Sequence, residues 1–129
     1  MRGVLQQAAL VGLGGFVGSA LRFLASGWVH RFSGSQYPWG TLAVNVLGSL
    51  VLGLLAGLAD LRQVIGPGQR LFLMIGVLGG FTTFSTFALE TVSLAQGGQG
   101  GRALANVAAH VALGLTAAAA GYVGARYLA

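Results

Sequence analysis

The placement of charge constrains the fold of this chain more than any other feature. Arg2 to Arg22, Arg31 to Asp60, Arg70 to Glu90 and Arg102 to Arg126 each bracket an uncharged, mostly apolar stretch. Each stretch is close to or longer than the ~20 residues a helix needs to cross about 30 Å of hydrocarbon. Only 7% of the 129 residues are charged, against roughly 25% in an ordinary soluble domain. The expected fold is all-α, a single domain over 1–129 with four transmembrane helices at about 5–29, 39–59, 70–94 and 103–127. Helices are the natural choice because lipid offers the backbone no hydrogen-bond partner.

The connections agree with this division. Tyr37, Pro38 and Trp39 place aromatic rings at headgroup level and a proline where a helix can start. Gly66, Pro67 and Gly68 lead into the third span, and Gln96 to Gly101, QGGQGG, into the fourth. Such short loops make successive spans antiparallel neighbours. The apolar run after Arg2 reads as the first span, not as a cleaved signal peptide, because it is glycine-rich and is followed by Arg22 instead of a cleavage region. The net charge of +5 does not indicate nucleic acid, since the arginines stand singly at segment ends. With no cysteine there is no disulfide framework, thiol chemistry or Cys-based metal site.

An even number of spans puts both termini and the 2–3 loop on one side of the lipid bilayer, with Arg2, Arg62, Arg70 and Arg126, and leaves Arg31 and Arg102 on the other. Four against two is a weak positive-inside bias. A chain with so weak a bias can insert both ways, and two opposed copies can pair about an axis in the membrane plane. Gly14 with Gly18, Gly15 with Ser19, Gly53 with Gly57, and Gly114, Ala117, Ala118 and Gly121 supply small residues at helical spacing, which fits close packing in lipid.

Polar groups inside the spans need a reason to be there. Thr41, Asn45 and Ser49 recur every four residues on one face of span two. They serve either as interhelical glue or as a polar track in which the Asn45 amide donates to an anion. Span four repeats the pattern with Asn106 and His110. An imidazole in mid-membrane is either bonded to a neighbour's carbonyl or functional, and no second ligand at a matching spacing makes His110 a metal site. Arg22 either snorkels to the headgroups or draws anions into a wet vestibule. Glu90 caps, pairs with an arginine or marks the interface.

The stretch GGFTTFSTF, Gly79 to Phe87, is the least ordinary. Glycines at 79 and 80 permit unusual backbone angles, and Thr82, Thr83, Ser85 and Thr86 can bond back to the main chain, so the expectation is an interrupted helix. An interruption exposes carbonyls at the end of the first half, which makes Gly79 to Thr82 a candidate cation site; the plainer alternative is a glycine kink with no ion. Phe84 and Phe87 share a face. Such rings ordinarily pack or face lipid, but their edges carry positive quadrupole character that, with hydroxyls at Ser85 and Thr86, would stabilise an anion without trapping it.

GGFVGSALR in span one, NVLGS in span two and GGFTTFSTF in span three, in this order and over a chain of this size, resemble the Fluc fluoride channels, the CrcB-type proteins of bacteria. The likeness runs along nearly the whole chain and is least distinctive in span four. It implies a multi-pass protein of the bacterial inner membrane, an antiparallel, dual-topology homodimer with two fluoride pores at the subunit interface. It implies a fluoride pathway that includes Phe84 and Phe87, the Asn45 amide and Arg22, with Thr83, Ser85, Thr86, Asn106 and His110 as further candidates. It also implies a structural sodium ion, not transported, held on the dimer axis by main-chain oxygens of Gly79 and Thr82. Near His110 members of the family often carry a small hydroxyl residue, so a group that titrates near neutrality stands here instead, and some pH dependence of flux is expected.

The competing classes fare worse. A small multidrug exporter, also four-spanning, relies on a carboxylate in its first helix, where this chain has Arg22 and no acid. A non-transporting assembly subunit would account for the small residues but not for the phenyls and hydroxyls after the break. An enzyme is disfavoured, since no nucleophile–base pairing or metal-ligand cluster is evident, and no nucleotide motif points to an energised pump.

Overall fold

The computed structural model describes residues 1–128. Helix α1 spans Arg2–Ser33 and α2 spans Trp39–Leu61. The third span is composite: a short α3 at Pro67–Gln69, a π-helical stretch at Arg70–Leu78, α4 at Gly79–Phe81 and, after a two-residue interruption, α5 at Phe84–Gln96. Helix α6 at Gly100–Gly124 completes the chain. Four segments are long and apolar enough to cross a membrane, as the charge spacing predicts.

The ends differ from the expected ones for local reasons. Helix α1 continues through His30 and Arg31 to Ser33, because polar residues beyond the hydrocarbon remain acceptable helix formers, and it stops where Gly34 adopts φ 55°. Pro67 opens the third span as a first-turn proline, with the Gln69 side chain accepting from the Gly66 N–H at 2.9 Å. The fourth helix lies three residues nearer the N-terminus than expected, recruiting Gly100 and Gly101 and ending at Gly124. The loop before it turns at Gly98, φ 75°. The π-helical stretch has no counterpart in the sequence reading.

Two helix pairs make up the bundle. Helix α2 runs along α6, and α1 runs along the first half of the third span, with α5 laid on α6. Lipid tails are as apolar as leucine, so these seams depend on close backbone approach. A Cβ at Gly121 would collide with the main-chain carbonyl of Leu50, and one at Gly18 with that of Val77. Few large side chains are buried, Leu42, Val44, Leu78, Phe81 and Leu94 among them, while Phe16, Phe23 and Leu104 face outward, as suits a surface bathed in lipid or covered by a second subunit. On the side of the chain termini, Arg70 pairs with Asp60 at 3.4 Å and Arg62 donates to the Leu128 carbonyl.

Candidate functional site: the broken third span

The interruption falls at Thr82 and Thr83, both extended, with φ/ψ of −87/157° and −152/115°. Side-chain oxygens hold it open. The Thr83 N–H, which in a continuous helix would bond the carbonyl of Gly79, donates to Asn45 Oδ1 at 2.7 Å. The Thr86 N–H, which would bond the carbonyl of Thr82, donates to Thr83 Oγ1 at 3.2 Å, an N-cap for α5. Asn45 Nδ2 completes the clamp by donating to the Thr83 carbonyl at 3.0 Å. The break thus deprives the carbonyls of Gly79, Gly80, Phe81 and Thr82 of their helical donors.

This bears out one expected cause of the break, threonine side chains bonding back to the main chain, and corrects the other, glycine's freedom. Gly79 keeps helical angles, φ −62° and ψ −37°, and its φ is not positive. Gly80 serves a close approach, since a Cβ there would lie 2.6 Å from the Gly15 carbonyl oxygen. The helix is broken by competing side-chain acceptors three residues further on, not by glycine's freedom. Asn45, read as a donor to an anion, spends its oxygen and one N–H on Thr83, which leaves its second N–H for a ligand.

Two recesses flank Thr83. One is a groove of about 300 Å³ lined by Asn45, Ser49, Leu52, Thr82, Thr83, Phe84, Phe87, His110 and Val111. In it the Phe84 and Phe87 rings meet edge to face, with centroids 5.4 Å apart and planes at 63°. Phe84 is 78% exposed on the single chain, so the groove opens onto the subunit surface. The Phe87 ring also lies against the His110 imidazole, 4.2 Å between centroids. Ser49 donates to the Asn45 main-chain carbonyl at 2.7 Å.

The other recess, about 230 Å³, is lined by Ser19, Arg22, Phe23, Ser26, Thr41, Val44, Thr83 and Thr86. Arg22 thus belongs to a different cavity from the phenyl pair, with only Thr83 common to both. Its guanidinium has no hydrogen-bond or ion-pair partner among the described residues, and Ser26 bonds its main-chain carbonyl at 2.7 Å. Thr86 faces this second cavity, and Ser85 lines neither, its one polar neighbour being Thr83 Oγ1 at 3.5 Å.

Sequence reasoning missed two side-chain pairs. Glu90 neither caps a helix nor pairs with an arginine; its Oε1 accepts from the Thr41 hydroxyl at 2.7 Å, and its Oε2 is buried without a partner. Thr91 donates to the Phe87 carbonyl at 2.8 Å and accepts from Asn106 Nδ2 at 2.9 Å. Asn106 is fully buried and lines neither recess. Spacing carried a signal for Thr91, which stands one turn after Phe87. The Thr41–Glu90 pair joins two spans and left no such trace.

Among the described residues no cluster of His, Cys, Asp and Glu fits a metal ion. A hard cation here would need main-chain oxygens, and the four carbonyls freed at the break, those of Gly79 and Thr82 among them, are of that kind. Gly79 is exposed on the single chain and Thr82 is half-buried.

The model of the CrcB-like protein family, described as camphor resistance, matches residues 9–122. The chain belongs to the CrcB family. This CrcB chain is 52% identical over 103 residues to a fluoride-specific ion channel FluC of Sulfurovum, covering 80% of each chain. It is 46% identical over 113 residues to one of Agrobacterium fabrum, covering 88% of this chain and 90% of the relative. It is 46% identical over 118 residues to one of Thermus thermophilus, covering 92% of each. Four spans and this membership make it a multi-pass membrane protein with a channel's relatives and not an enzyme's.

Proposed function

We propose that this CrcB chain is a fluoride-selective channel of the bacterial inner membrane that lets fluoride leave the cell passively. The observation that carries the reading is the edge-to-face phenyl pair set beside a clamped helix break. Ring edges and the remaining Asn45 N–H attract a small anion without the deep well a fixed cation would make. Ser49, Thr82 and Thr83 also line the groove, but their hydroxyl hydrogens go to the carbonyls of Asn45 and Leu78 and to Thr86 Oγ1, so the ring edges and the Asn45 N–H carry the attraction; His110 lies beside Phe87. The half-buried Arg22, with Thr86, supplies an anion-attracting vestibule on the other side of Thr83.

The functional unit is an antiparallel, dual-topology homodimer. The weak charge bias, the exposure of Phe84 and the outward opening of the groove support it. A structural sodium ion, not transported, would be held by the Gly79 and Thr82 carbonyls of both subunits, where it would supply positive charge to tie the two broken helices together.

Export needs no coupled energy source. Fluoride enters cells as neutral HF and ionises in a less acidic interior. A potential of 100 mV, negative inside, contributes about 2.3 kcal/mol per charge, which corresponds to a roughly fifty-fold lower internal anion level at equilibrium. The test is fluoride-electrode efflux from liposomes holding the purified chain, beside Phe84→Ile and Phe87→Ile variants. The reading expects both variants to lose most of the flux while still assembling. Undiminished flux in both would reduce the rings to packing.

A further inference from the structure

Two apolar grooves meet at one tryptophan near the end of α1. The first, about 670 Å³, lies between α1 and α2 and is lined by Trp28, Phe32, Trp39, Leu42, Val46 and, from α6, Leu113. The second, about 620 Å³, runs along α1 alone, past Leu21, Phe23, Leu24 and Trp28 to Arg31. Trp28, 65% exposed, is the one residue they share and forms the ridge between them. From Leu21 to Arg31 the helix rises about 15 Å. That is half of the ~30 Å hydrocarbon thickness, the depth of one leaflet.

The donors around this ridge are free. Side-chain hydrogen bonds at this end run from Ser33 to the His30 carbonyl, from the Tyr37 N–H to Ser35, from Gln99 to Gln36 and from Arg102 to Gln99. They leave the Arg31 guanidinium and the indole N–H groups of Trp28 and Trp39 without partners among the described residues. We infer that this end of the subunit binds a two-chain anionic phospholipid astride Trp28, one acyl chain in each groove and the phosphate on Arg31. A guanidinium pairs readily with phosphate, and indole N–H groups at headgroup depth donate to ester carbonyls. The inference rests on the four spans and not on the fluoride reading.

Other occupants fit less well. The two acids of the chain are Asp60, at the opposite end and paired with Arg70, and Glu90, bonded to Thr41, so the ammonium of a zwitterionic headgroup would find no carboxylate beside Arg31. In an antiparallel pair, the end of the other copy at this level would carry Arg2, Arg62, Arg70 and Arg126, and like charges would meet where the grooves open. The Phe84 groove, where pairing is proposed, shares no lining residue with either of these two. An antiparallel pair would thus present one lipid site to each leaflet.

The test uses the tryptophan count. Trp28 and Trp39 are the two in the chain, so Trp39→Phe leaves Trp28 as the single fluorescent indole. The full-length variant is placed in phosphatidylcholine vesicles containing increasing fractions of a lipid brominated on its acyl chains, and quenching of Trp28 is followed. Brominated phosphatidylglycerol should occupy the site about fivefold more readily than brominated phosphatidylcholine. Arg31→Gln should make the two lipids equal, Arg31→Lys should keep most of the preference, and Arg102→Gln should leave it unchanged. Equal quenching by both lipids in the parent would reduce the grooves to ordinary boundary surface. A preference that survives Arg31→Gln would place the phosphate elsewhere, and weak quenching by both lipids would mean that a second subunit covers Trp28. Each of these results overturns the inference, whatever ion the protein conducts.

Discussion

The seam between α2 and α6 and the interruption in the third span solve opposite problems with overlapping residue types. Along the seam both helices are continuous, and glycine is used for its lack of a side chain, as at Gly121 against the Leu50 carbonyl. At the interruption the backbone groups are freed on purpose, and Asn45 and the Thr83 hydroxyl take over the bonds. Gly79 stands beside this break without causing it, with no atom nearer than 4.0 Å to a Cβ placed there. Glycine in a membrane helix is thus a packing residue at one place and a bystander at another, and only its neighbours tell which.

Substitutions separate the two uses. The largest effect belongs to the seams: Gly18→Leu and Gly121→Leu drive a side chain into a carbonyl of the facing helix. Such overpacking costs about 3 kcal/mol or more and should abolish the monodisperse peak in detergent chromatography. Next comes the clamp. Asn45→Leu removes the acceptor for the Thr83 N–H, costing about 1–3 kcal/mol of stability for a stranded buried donor, and, because it also removes the amide N–H from the groove, should reduce fluoride efflux at least about tenfold. Efflux unchanged in Asn45→Leu would mean that the break stays open without its clamp.

The two adjacent glycines give a finer contrast. Gly80→Ala meets the Gly15 carbonyl and should lower stability by about 1–3 kcal/mol in thermal unfolding. Gly79→Ala should change subunit stability by about 0.5 kcal/mol or less, because its angles are helical and its Cβ position is open within the chain. Equal losses at both positions would restore glycine freedom as the cause of the break. The smallest effect is expected at the surface, where Asp60→Asn removes an ion pair between side chains 45% and 51% exposed; such pairs are worth about 1 kcal/mol or less.

Much of this was legible because lipid narrows the options. Isolated charges marked the four spans, and the polar stretch Gly79–Phe87 marked the interruption, since few other reasons exist for such residues in hydrocarbon. The position of the break was not legible to the residue. Thr83 departs from the helix because Asn45, 38 positions earlier, reaches it, and no local propensity encodes that distance. The assignment of Arg22 to a separate cavity and the bonding of Glu90 to Thr41 likewise arise from how three spans face one another. The π-helical turn at Arg70–Leu78 accompanies the close passage of Gly76 past Val11 and Gly14, again a tertiary fit.

The most direct test loads vesicles with equal potassium fluoride and potassium chloride, inserts the purified chain, and opens a potassium path with an ionophore while electrodes follow both halides. Rapid release of fluoride with chloride retained is what rings and a clamped break predict. Simultaneous release of both halides, or retention of both by correctly assembled protein, would contradict it.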